Sequence, residues 1–217
     1  MYILLVAATE NEIRPTSDWL SSVKGSINGH EAEVLITGVG SAATSYALTR
    51  QLLWRSPELV MQAGIGGSFS NDYPPETVAF IGEEVFADVG VFQNNKFDDI
   101  FDMGFAGAND HPFTDKKLVN PRLEPWVKYG LPFLRGATIN CISSTDMQID
   151  AIRSKYQPEI ESMEGAALHY ACLMEHVPFI QLRAVSNFVG ERDKNKWKML
   201  EAIKALNEKL RRILGWI

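Results

Sequence analysis

The sequence predicts an α/β fold, a three-layer αβα sandwich whose central sheet is mainly parallel or mixed, and three observations predict it. Short, unbroken apolar runs at Tyr2–Ala8, Leu59–Ala63 and Phe179–Val185 have the length of strands covered on both faces. They alternate with stretches of helical apolar period. Each run ends in polar or glycine-rich residues, as strands do when they feed turns at one edge of a sheet. A chain of 217 residues suits one domain, here 1–217, and can bury roughly 70% of its unfolded surface.

In order along the chain, Tyr2–Ala8 runs into Thr9-Glu10-Asn11-Glu12, a loop leading to a helix. Asn28-Gly29 between Ser26-Ile27 and Glu33–Thr37 signals a hairpin with a tight turn. Thr37-Gly38-Val39-Gly40-Ser41 precedes a helix over Ala42–Trp54, and the strand Leu59–Ala63 ends in a glycine loop, Gly64-Ile65-Gly66-Gly67. Thr77–Ala87 and Arg135–Ile142 read as further strands. Between them Phe92–Phe113 shows no period, and a stretch that long is functional or an interface loop. A helix is expected over Glu161–Met174, then the strand Phe179–Val185. The final helix carries Trp197, Leu200, Ile203, Leu206, Leu210 and Ile213 at helical spacing.

The net charge of −6 argues against nucleic acid or an anionic membrane as partner. Cys141 and Cys172 are too few for a disulfide framework and read as buried, reduced thiols. The apolar start lacks a basic region and is too short for a signal peptide or a membrane span, so a cytoplasmic location is expected. The four histidines have no metal spacing, and His169 and His176 read as packing or surface residues.

In open α/β sheets ligands bind beyond the carboxyl ends of the strands, which draws attention to the segments after Ala8, Ala63 and Val185. Gly64–Gly67 allows close backbone approach to a ligand, though a structural turn explains it equally well, and it matches neither the P-loop nor the dinucleotide fingerprint. Glu164 falls at a helix start, where a capping acid is the ordinary reading. The small residues Gly165-Ala166-Ala167 after it place that start inside the protein, where a carboxylate needs donors such as two cis hydroxyls of a ribose. Ser186 and Asn187 end a buried strand at the ligand edge; an Asn stabilising its own turn is the plain alternative. Glu12, taken singly, reads as a surface acid.

Together these segments resemble, in order and spacing, the purine nucleoside phosphorylase/methylthioadenosine nucleosidase superfamily. The resemblance rests on Ala8–Glu12, Thr37–Gly40, Ala63–Gly67, Ser162–Ala167, and Val177-Pro178-Phe179 leading to Arg183–Asn187, and spans nearly the whole chain. Met163–Ala167, with Arg183–Asn187 running into Val189–Lys194, looks most like the futalosine hydrolase family within it. That resemblance implies hydrolysis of futalosine to hypoxanthine and dehypoxanthine futalosine, in menaquinone biosynthesis, without a cofactor.

Residue by residue, the resemblance implies that Glu12 is the base that activates water and that Glu164 holds the ribose hydroxyls, with Met163 packing on the sugar. Gly66 and Asn187 would contact the purine, Ser186 standing beside them. Met147 and Gln148 would frame the base, and Arg192, Lys194 and Lys196 are candidates for the benzoate of futalosine. The family also implies a homo-oligomer, a dimer whose partner loop closes the site, for which Asn109–Phe113 is the candidate.

An Asn at 187 can donate to O6 of a 6-oxopurine and accept from a protonated N7, which favours hypoxanthine or guanine over adenine. Three alternatives stay open: a methylthioadenosine/S-adenosylhomocysteine nucleosidase, a purine nucleoside phosphorylase, and a non-catalytic nucleoside-binding protein.

Overall fold

The computed structural model describes residues 1–93 and 96–217; Asn94 and Asn95, within the stretch read as irregular, lie outside the described residues. The first half of the chain forms β1 (Tyr2–Ala7), α1 (Glu10–Ser22), β2 (Ser26–Ile27), β3 (His30–Ile36), α2 (Ser41–Trp54), β4 (Leu59–Ser68), β5 (Val78–Phe86), β6 (Gly90–Gln93) and β7 (Lys96–Asp99). There follow β8 (Leu118–Val119), β9 (Phe133–Thr138), α3 (Asp146–Tyr156), β10 (Ile160–Ser162), α4 (Gly165–Met174), β11 (Phe179–Phe188) and α5 (Met199–Leu214).

The continuous apolar character of β1 has a simple origin, since both its faces are covered. Ile3, Leu5 and Ala7 pack in one core with Ile13 and Leu20 of α1 and Leu206, Leu210 and Ile213 of α5. Tyr2, Leu4 and Val6 pack on the other side with Leu48 and Leu52 of α2 and Leu168 and Cys172 of α4. This is the expected sandwich, and its sheet is mixed: β1 is parallel to β3 and β4, β11 is parallel to β4, and β11 is antiparallel to β5. The Asn28-Gly29 hairpin is present, with both residues at positive φ (49° and 80°) as a primed turn requires.

The sequence did not announce that the sheet closes. The strands run β10-β9-β5-β11-β4-β1-β3-β2, and β10 also pairs antiparallel with β4, so that β4, β11, β5, β9 and β10 form a ring. The expected helix over Glu161–Met174 is corrected accordingly. Ile160–Ser162 is a strand pairing on both edges, and the helix begins only at Gly165. The glycine loop is corrected too: β4 continues through Gly64–Gly67 to Ser68, because β11 pairs along its whole length.

Smaller corrections have local causes. Phe92–Phe113 begins with the β6–β7 hairpin. The strand expected over Arg135–Ile142 stops at Thr138, which leaves Cys141 exposed rather than buried. The last helix starts at Met199, so Trp197 precedes it, its indole N–H donating to Glu191 O at 2.9 Å; Leu200 is 81% exposed. Among the described residues no helix is long and apolar enough to cross a membrane.

Candidate active site

The carboxyl ends of β1, β4 and β11 open into a cavity of about 340 Å³, within the usual size of a small-molecule site. Thr9, Asn11 and Glu12 line it after β1, Ile65, Gly66 and Gly67 from the end of β4, and Ser186 and Asn187 from the end of β11. Glu161, Ser162, Met163 and Glu164 line it from β10 and the turn into α4. The three segments singled out in the sequence thus converge, two of them as strand ends rather than loops.

Glu12 is buried on the first turn of α1, which Thr9 caps. Its Oε2 accepts from the Thr9 amide (3.0 Å) and hydroxyl (2.9 Å), and its Oε1 from the Ile65 amide (3.1 Å). The capping box that makes Glu12 look ordinary in the sequence also fixes its side chain at the cavity wall.

Glu164 is the residue immediately before α4. One oxygen accepts from the Gly40 amide at 3.0 Å, and the other from Arg183 Nη1 at 3.3 Å. Gly40 has φ +93°, a conformation that costs glycine little and turns its amide toward the carboxylate. Arg183 is 1% exposed, and its guanidinium also donates to Ile65 O (3.2 Å) and Gln62 Oε1 (3.1 Å). It passes so close to Gly64 that a Cβ there would collide with Nη1, which explains a glycine in mid-strand. From the sequence, Arg183 takes a place in the strand and in the motif Arg183–Asn187, but no role in the site. A lone arginine inside a buried run was itself the signal, since such charges are almost never buried unpaired.

Asn187 sits at an irregularity in the β11–β4 register, between Val185 and Asn187, that frees Ser186 from the ladder. The Ser186 hydroxyl lies 2.7 Å from Asn187 Oδ1 and 3.2 Å from Gly66 O, and Asn187 Nδ2 donates to Phe188 O at 2.9 Å. Glu161, unremarked in the sequence, is 6% exposed at the opposite wall; burial pushes its carboxyl up to about 7. Trp197, Ile139, Ile142 and Ile203 supply apolar wall.

Three expected residues lie off this wall. Met147 is half exposed and borders a separate groove with Asp102 and Lys155. The Gln148 side chain is occupied in capping α3 through Thr145, whose hydroxyl donates to it at 3.1 Å. Arg192 is exposed; it lies outside the lining, although its charge bears on Glu161. Among the described residues no cluster of three or more His, Cys, Asp or Glu side chains is placed to hold a metal ion.

The phosphorylase superfamily model matches residues 8–215. The futalosine hydrolase of Thermus thermophilus is 29% identical over 83% of this chain and 80% of its own, and that of Acidothermus cellulolyticus 32% over 81% and 72%. Among solved structures, the 5'-methylthioadenosine/S-adenosylhomocysteine nucleosidase of Neisseria meningitidis, in complex with methylthio-immucillin-A, superposes with a TM-score of 0.85. It covers 100% of this chain and 99% of its own at 15% identity, a likeness of fold. With a family model over nearly its full length and hydrolase relatives above 30% identity, the chain belongs to the phosphorylase superfamily, as a member of its N-glycosyl hydrolase branch.

Proposed function

We propose that this protein hydrolyses the N-glycosidic bond of a 6-oxopurine nucleoside, releasing hypoxanthine, with futalosine as the substrate. The observation that carries the reading is Asn187, an amide at the strand end of a cavity whose walls hold Glu12 and Glu164.

Cleaving an N-riboside passes through an oxocarbenium-like sugar, so catalysis must favour positive charge at the ribose and negative charge on the base. Glu164, fixed by Gly40 and Arg183, keeps lone pairs free for the two ribose hydroxyls, with Met163 packing beside the sugar. Glu12 takes a proton from the attacking water. Its three donors hold the carboxylate in place without exhausting its acceptor capacity. Asn187 donates to O6 and accepts from N7–H, while Gly66 lets the base approach the backbone.

Water rather than phosphate is the nucleophile in this reading, because Glu12 and Glu164 stand in the lining with no Lys or Arg among the described lining residues, and a phosphate dianion would meet repulsion there. The futalosine assignment draws on the relatives and on a groove between α1 and α5. That groove shares Asn11, Met199 and Ile203 with the cavity and carries Arg14, Lys204 and Arg211, with Asp18 the opposing charge. Apolar stems beside cations suit an aryl carboxylate, and this set takes the place of Arg192, Lys194 and Lys196 as the benzoate's partners. Lys196 is already paired with Glu191 at 2.9 Å.

Incubation with futalosine, inosine and methylthioadenosine, with and without phosphate, followed by chromatography of the free base, tests the reading. Hypoxanthine released from futalosine without phosphate is expected. Adenine from methylthioadenosine as the main product, or dependence on phosphate, would reject it. Lys204→Glu should raise KM for futalosine several-fold and leave inosine unaffected.

A further inference from the structure

Asn187 holds a base but has no proton to give, and a purine leaves most easily when protonated. Directly across the cavity stands a group able to supply that proton. Gly67 is in register with Asn187 of β11 on one side and with Glu161 of β10 on the other. The row across these three strands is therefore an acid, a position without a side chain, and an amide, all three lining the same cavity. Gly67, where an added Cβ would meet Val189 Cγ2 at 3.1 Å, keeps the row between the two polar groups free of a side chain.

Glu161 Oε2 has no hydrogen-bond partner among the described residues although it is buried, and the neighbouring Ser162 hydroxyl, on the same wall, is in the same condition. Buried polar atoms are normally satisfied, and such exceptions at a cavity wall mark groups that await a ligand. We propose that Glu161 is the acid that protonates the departing purine, an inference that rests on the nucleosidase reading of this cavity.

Its surroundings agree. Its carboxyl is pushed up to about 7: desolvation by burial raises it most and the Asp88 charge, after β5, adds to this, while the nearby Ser143 hydroxyl and amide and Arg192, after β11, oppose. β4 presents only Gly67 there, and Glu12 and Glu164 are held by their own donors. The group thus carries its proton up to neutrality.

As the bond between the anomeric carbon and the purine breaks, its electron pair passes into the ring, and the Glu161 proton moves to a ring nitrogen. Water bonds to the anomeric carbon and gives its proton to Glu12. The base departs neutral, leaving Glu161 ionised and Glu12 protonated, and proton exchange with solvent restores both.

The test compares wild type with Glu161→Gln on two substrates, a 6-oxopurine nucleoside and 4-nitrophenyl riboside, whose leaving group departs as a stable anion. Glu161→Gln should lower kcat for the nucleoside by about 10²–10⁴-fold with KM little changed, and abolish the loss of wild-type kcat/KM above about pH 7. It should cleave the nitrophenyl riboside at the wild-type rate, which also shows that the variant is folded. Equal losses on both substrates, an unchanged nucleoside rate, or a retained alkaline limb would overturn the proposal alone. Failure of the wild type to cleave either substrate would overturn the nucleosidase reading and this proposal with it.

Discussion

In the proposed function, Asn187 selects a purine by the direction of its hydrogen bonds. With Oδ1 facing the Ser186 hydroxyl and one Nδ2 hydrogen given to Phe188 O, the amide keeps one N–H and one lone pair for the base. That pairing matches O6 and N7–H, whereas adenine would leave a buried donor opposing a donor, at about 1–3 kcal/mol. Asn187→Asp should accordingly lower hypoxanthine release relative to adenine release by about 5–150-fold, measured as a ratio of kcat/KM. Glu12→Gln should lower kcat by about 10²–10⁴-fold while hypoxanthine still binds, as read by quenching of the tryptophan fluorescence to which Trp197 at the wall contributes. These two residues were legible because each follows an apolar run at the end where α/β sheets bind ligands. Glu161 was not, because a three-residue strand separated from a helix by only Met163 and Glu164 has too few residues to show its own period.

Among the elements, α5 separates pattern from packing. Its apolar spacing was plain in the sequence, yet Leu206 is fully buried whereas Leu200 is 81% exposed beside the α1–α5 groove. Leu206→Ala should cost about 2–5 kcal/mol in a denaturant titration, and Leu200→Ala no more than about 0.5 kcal/mol. The start of α4 is set by contacts from other strands that a linear reading does not reveal. The Ala166 amide donates to the Thr138 hydroxyl at 2.7 Å, which in turn donates to Glu84 Oε2 at 3.0 Å, so residues of β5 and β9 fix the helix that carries Glu164. Neither Thr138 nor Glu84 stands out in its strand, and their partners lie 28 and 54 positions away.

Across the whole molecule, closing the sheet buries Glu84 against Gly136 and Gly165, where any Cβ would strike its carboxyl. Burial pushes that carboxyl up to about 7, opposed by Gln181, Arg183 and Thr138. Its folded pKa thus lies above its unfolded value near 4.5, and the folded state binds more protons between those pH values. This group's contribution is fully present below the unfolded pKa and is lost as pH rises from about 4.5 to 7. Wild-type stability minus that of Glu84→Gln should therefore fall over that interval, by up to about 1.4 kcal/mol per pH unit, in paired urea titrations. A difference that rises with pH would refute the assignment. His169 is depressed to about 4 by burial and acts in the opposite sense, so the difference between the two proteins is the informative quantity.

The sequence by itself determined the α/β class and the sheet between two helical layers, and it pointed to Glu12, Glu164 and Asn187 as candidates beyond the strand ends. Hydrophobic period and strand-end chemistry are local properties, written in consecutive residues. Only the tertiary structure decided that β10 closes the sheet onto β4, that Arg183 supports Glu164, and that Glu161 faces Asn187 across Gly67. Those depend on registers between strands far apart in the chain. A register is set by how whole faces pack, and no single segment records it.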